Sequence, residues 1–247
     1  FLNFTGRWDE LLALSRDAGD KAVAAKNFRD AGWRAYDEGW VHNLRHQPAK
    51  VIACSERAES YWREAQASTR ERAFAIRLRG EGHRLAKDYP AAIAAFREAL
   101  VLLRTLNSEN ADVVNGLISL AIAEYRSGKH DDSERDYREA LRIALAVDYL
   151  EGVAQITGNL SGLALDREDW PGAEVLAREA LALAEKVGRK EIIAGNCRRL
   201  AETLAQQGRK TEALPHARRA VDIFTDMRYP APGLEAARKT LAECESC

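Results

Sequence analysis

The pattern of residues Asp88 to Leu100, DYPAAIAAFREAL, returns along the chain at a nearly constant interval. Its key positions are Tyr89, Ala92, Phe96 and the pair Ala99-Leu100. The same offsets carry His130, Ser133, Tyr137 and Ala140-Leu141, then Trp170, Ala173, Ala177 and Ala180-Leu181, then Lys210, Ala213, Ala217 and Ala220. Ala92 to Ser133 is 41 residues, Ser133 to Ala173 is 40, and Ala173 to Ala213 is 40. A period of this size marks one supersecondary unit stacked on copies of itself, each unable to bury its apolar face alone. It disfavours a single closed core.

One further small residue precedes each copy: Gly80, Ala121, Ser161 and Ala201. With it, Gly80, Tyr89, Ala92, Phe96 and Ala99 resemble the tetratricopeptide repeat (TPR) family, whose unit is a helical hairpin of helix A then helix B. The later copies keep the small positions and vary the aromatic ones. The resemblance implies an all-α TPR solenoid, a right-handed superhelix of about five antiparallel hairpins with half-units at both ends. It implies no enzymatic activity and no cofactor. The period is about six residues longer than the usual TPR unit, which is similar to the arrays of kinesin light chains and of bacterial STAND-type NTPases.

In order, residues 1–27 are expected to be a lone helix from about Gly6, with Trp8 as its starting aromatic. Hairpins are expected at 28–67, 68–107, 108–148, 149–188 and 189–229, and a capping helix at 230–247, all as one array. Asp88-Tyr89-Pro90 reads as a turn with a helix N-cap, Gly128 as a helix C-cap, and Tyr229-Pro230 as a break. The start at Phe1 suggests a fragment of a larger protein.

Lys and Arg total 37 against 38 Asp and Glu, which gives no basic footprint for nucleic acid. No apolar run approaches the roughly 20 residues of a membrane helix, and FLNFTGRWDE lacks the blocks of a secretion signal. Cys54 and Cys197 read as core thiols in a reduced, cytoplasmic setting. Cys244 and Cys247 have the spacing of a redox or metal pair but no second pair. The chain contains no GxxxxGK[ST], HExxH or GxSxG. Asp131-Asp132 and Glu168-Asp169 read as carboxylates set against the amide dipoles of helix starts.

The family's inward-facing offsets on the A helices select the candidate site for a protein or peptide ligand: Trp33, Tyr36, Trp40, Asn43, Arg77, Arg84, Asn115, Tyr125, Gln155, Asn159, Arg198 and Arg199. The amides of Asn115, Gln155 and Asn159 can both donate to and accept from a peptide backbone, or can simply face water. Arg198 and Arg199 suit a carboxylate. Trp33, Tyr36 and Trp40 fit interface anchors and core packing equally well. The Lys, Asn and Arg set of chaperone-binding TPRs is not reproduced.

Glu38 and Arg79 stand 41 residues apart where Leu120, Leu160 and Leu200 stand later, so a salt bridge between them is expected. His42, His46 and His83 can be drawn as a metal site, but no second shell supports it, and no metal is expected. These readings point to the sensor or interaction region of a bacterial signalling or defence protein, whose partners include other domains of its parent. A small-molecule-sensing regulator and a passive assembly scaffold remain the alternatives.

Overall fold

The computed structural model describes residues 8–227 and 231–246. The expected start at Gly6, the break at Tyr229-Pro230 and Cys247 lie outside the described residues. Among the described residues the chain forms twelve helices and no strand. They are α1 (Trp8–Ala24), α2 (Phe28–Leu44), α3 (Pro48–Glu64), α4 (Thr69–Leu85), α5 (Tyr89–Leu106), α6 (Ala111–Arg126), α7 (His130–Ala146), α8 (Leu150–Asp166), α9 (Trp170–Val187), α10 (Lys190–Gln206), α11 (Lys210–Asp226) and α12 (Ala231–Glu245).

Local chemistry sets the ends. The side chains of Asn27, Asp88, Asn110 and Asp169 accept the backbone N–H three residues on, which satisfies one exposed donor of each following helix. Pro48, Pro90 and Pro171 occupy first-turn positions, where a missing N–H costs nothing. Most turns share one closure. The N–H groups of Gln47, Ala67, Asp88, Lys129, Asp169 and Arg209 each reach the carbonyl five residues back at 2.8–3.0 Å. The residue before each of them is left-handed: His46, Gln66, Lys87, Gly128, Glu168 and Gly208. This is the Schellman geometry that reverses a chain directly after a helix.

The chain divides into two compact units, the first up to Asp136 and the second from Tyr137, so that the line falls inside α7. In the first unit each of α1 to α5 packs on its successor, and α2 also touches α4, as α4 touches α6. In the second, α8 to α12 pack successively, and α8 touches α10, as α10 touches α12. Even-numbered helices therefore approach one another within each unit. Within each unit they form one layer.

Core positions repeat with the sequence. Trp62 and Leu103 are enclosed in the first unit, and Ala144, Ala184 and Phe224 hold the same register in the second. Small residues make room for large ones. A Cβ on Gly32 would lie 2.3 Å from the Trp62 indole, and one on Gly80 would lie 2.6 Å from Phe96. Close approach of backbone to ring is thus built into both hairpins. Cys54, Cys197 and Cys244 are buried and unpaired, and burial pushes the Cys54 and Cys197 thiols up to about 11.

One expected contact is corrected. Glu38 does not pair with Arg79; it takes Arg16 at 2.8 Å and Arg57, which reach it from α1 and α3. Arg79 turns instead to Glu98 at 2.9 Å and Glu59 at 4.0 Å. Burial alone would raise the Glu38 carboxyl, but hydrogen bonds from Arg57 and Arg16 hold it below its usual range. Register placed both residues near the α2/α4 seam, yet long guanidinium side chains on the adjacent helices reach the carboxylate first.

Candidate functional site

In the first unit, α2 presents Trp33, Tyr36, Trp40 and Asn43 along one face, as their spacing of three or four residues requires. Trp33 meets Tyr36, Trp62 and Phe74 edge-on, with centroids 5.7, 5.2 and 5.8 Å away. Tyr36 stacks on Phe74 at 5.7 Å and meets Trp40 at 6.1 Å. Tyr36 is buried, whereas Trp33 and Trp40 keep part of their surface in water. Anchor and core are therefore combined in one cluster. Its inner members hold α2 to α3 and α4, and its outer rings remain available.

Arg77 of α4 closes this cluster. Its guanidinium lies 5.2 Å from the Trp40 centroid and 5.7 Å from that of Phe74, and it donates to the Tyr36 hydroxyl at 2.8 Å. Cation–π attraction and one hydrogen bond fix its orientation. No carboxylate forms an ion pair with it among the described residues. Its neighbours differ: Arg70 pairs with Asp112 at 2.6 Å, and Arg84 with Glu81 at 2.7 Å. Glu81 also accepts the Ser119 hydroxyl at 2.8 Å, so the polar link runs from α4 to α6. Asn115 and Tyr125 are half-buried on α6, and the Tyr125 ring meets His130 edge-on at 5.2 Å. The Oδ1 of Asn43 is enclosed and has no hydrogen-bond partner.

In the second unit the structure brings Asn159 of α8 and Arg199 of α10 together, with the guanidinium donating to the amide oxygen. The Nδ2 of Asn159 is enclosed without a partner. Gln155 is half-buried one turn earlier. Arg198 turns along its own helix to Glu202 at 2.6 Å. Beside Asn159 stands Asn196, which sequence reasoning missed. Its Nδ2 donates to the Ala180 carbonyl at 3.1 Å, and its enclosed Oδ1 has no partner. An amide where Ile156 stands one repeat earlier was the available signal. Gly158 faces it, and a Cβ there would lie 2.1 Å from the Asn196 oxygen. Around Gly162 a Cβ would meet nothing within 4 Å, so the face is open at that turn.

The three histidines do not form a cluster. His42 bonds Gln47 at 2.7 Å, and His83 lies 3.8 Å from Asp88. Another buried carboxyl was also missed: Glu124 accepts from Arg97 at 2.9 Å, and burial together with the Asp136 charge raises it to about 7.

Two tetratricopeptide repeat profiles match the sequence, one over residues 71–146 and 112–186 and the other over 197–225, together more than half of the chain. The chain belongs to the TPR family. The even-numbered helices from α2 to α10 are thus A helices, and the candidate residues line the A-helix layers. No curated protein sequence matches the chain. Among solved structures, BtubC (BKLC) from P. vanneervenii has a TM-score of 0.69 and 18% identity, over 91% of this chain and 94% of its own. The Rap conjugation gene regulator of plasmid pLS20, in complex with the Phr* peptide, has a TM-score of 0.70 and 16% identity, over 87% of this chain and 63% of its own. Repeats of a putative kinesin light chain from Podosopora anserina have a TM-score of 0.58 and 14% identity, over 78% of this chain and 94% of theirs. At these identities the likeness establishes the TPR solenoid fold. No described helix is long and apolar enough to cross a membrane.

Proposed function

We propose that this TPR chain is a non-enzymatic binding module that holds an extended peptide segment of a partner protein against its A helices. The observation that carries this reading is the A-helix face of the first unit, where the Trp33 and Trp40 rings keep part of their surface in water beside the Arg77 guanidinium. In the first unit Arg77 adds the partner's chemistry. This oriented guanidinium, which forms no ion pair among the described residues though the Glu81 and Asp112 charges act on it, receives a carboxylate, and the exposed parts of Trp33 and Trp40 pack the flanking apolar groups. The peptide-complexed Rap regulator supports a peptide as ligand of this fold. The same reading makes the chain the sensor region of a larger bacterial signalling or defence protein, with capture of the partner acting on its other domains.

The test is selection of a displayed random peptide library on the full chain, followed by fluorescence anisotropy on the enriched peptides. The expected outcome is saturable binding of carboxylate-bearing sequences, weakened about tenfold or more by Arg77→Met. Binding indifferent to Arg77→Met overturns the first-unit site. Saturation by members of a metabolite panel with no peptide enriched replaces the peptide by a small molecule.

A further inference from the structure

Two ionisable side chains sit inside the first hairpin where a helical repeat normally places hydrocarbon. Glu38 and His42 lie one turn apart on α2, both almost fully enclosed, and the buried thiol of Cys54 faces them from α3. One donor atom from each, a carboxylate oxygen, an imidazole nitrogen and a thiol sulfur, lies within 4.8 Å of the other two. Among the described residues no other three metal-capable side chains converge in this way.

The orientation of the imidazole matters most. His42 Nδ1 lies 2.7 Å from Gln47 Oε1, and an amide oxygen can only accept, so Nδ1 carries the proton. Nε2, 3.6 Å from Glu38 Oε1, then faces the carboxylate with a lone pair. That separation is too long for a hydrogen bond. Two lone-pair donors therefore oppose one another beside a thiol. A metal cation between them would join all three donor atoms.

We propose that Glu38, His42 and Cys54 form a three-ligand site for a divalent metal ion of the zinc class. Mixed nitrogen, oxygen and sulfur donors suit zinc rather than calcium or magnesium, and three protein ligands leave a fourth position for water. Gln47 sets the imidazole tautomer, as outer partners of metal-binding histidines do. Arg57 and Arg16 hold the carboxylate, and both side chains are at least half exposed, so they can turn toward water as the ion arrives. Coordination breaks the Cys54 S–H bond and forms a metal–sulfur bond. The thiol proton leaves to solvent, one per ion, with no change of oxidation state.

The experiment uses the full chain with Cys244 and Cys247 changed to Ser, titrated with Co2+ and then with Zn2+. The expected results are a saturable one-to-one thiolate-to-cobalt charge-transfer band, its loss on adding Zn2+, and release of about one proton per ion. Cys54→Ser should abolish the band. His42→Phe, which keeps the thiol, should weaken binding about tenfold or more. Cys197→Ser should leave both unchanged, and circular dichroism confirms that each variant is folded. Absence of one-to-one binding, or a band that survives Cys54→Ser, overturns the site.

Discussion

The A-helix faces of the two units use one register in opposite ways. At equivalent positions the first unit places Trp33, Phe74 and Asn115, and the second places Gln155 and Gly195. The next position holds Tyr36 and Arg77 in the first unit and Gly158 and Arg198 in the second; the one after holds Trp40 and Glu81 against Gly162 and Glu202. Aromatic rings fill the first face and brace Arg77. Glycines clear the second, so that amides stand next to bare backbone. The repeat specifies where a wall stands, and the residue at each offset decides whether that wall is a packed platform or an open bed.

The first unit is most sensitive where the platform rests on its core. Trp62 is enclosed against Gly32 and bonds the Arg29 carbonyl at 3.2 Å, so Trp62→Ala is expected to cost about 3–5 kcal/mol, read by urea unfolding. A loss below about 1 kcal/mol would mean that the aromatic cluster is ornamental rather than structural.

The second unit is probed by a pair of glycine substitutions one turn apart. Gly158→Ala drives a methyl group into the Asn196 oxygen and is expected to cost about 1–3 kcal/mol. Gly162→Ala meets open space and is expected to raise stability by about 0.5–1 kcal/mol through helix propensity. Equal effects in thermal unfolding would erase the distinction between a filled and a cleared face.

An effect of similar size to that of Gly162→Ala concerns charge and is confined to the first unit. Glu124 is raised to about 7, above its unfolded value near 4.5, so its contribution is full below about 4.5 and is lost as pH rises through about 7. Glu124→Gln keeps an acceptor for Arg97 and removes the titration. Stability should rise on the order of 1 kcal/mol at pH 8 and change little at pH 5. Denaturation curves at the two pH values check this, and a variant that keeps the wild-type pH slope would assign it to another group.

Much of the fold was legible because its signals are local. Asp88 and Asp169 cap helices as their place before Pro or Trp implied, and Gly128 adopts the left-handed conformation its position called for. The site was legible only as positions. That Arg199 meets Asn159 follows from a spacing of 40 residues, which sets equivalent side chains on neighbouring A helices. Glu38 shows the limit, because register named Arg79 alone, while Arg16 and Arg57 on the adjacent helices are the ones within reach. Glu124 and the Cys54 cluster were invisible for the same reason, and Asn196 showed only as an amide where Ile156 stands one repeat earlier.

The sequence by itself determined a stack of helical hairpins, since a period near 40 residues with small side chains at constant offsets has no other way to bury its apolar faces. Only the tertiary structure decided which polar groups inside that stack found partners and which did not. Hydrogen bonds and ion pairs act over a few ångströms, and those distances exist only once side chains from separate helices are in place.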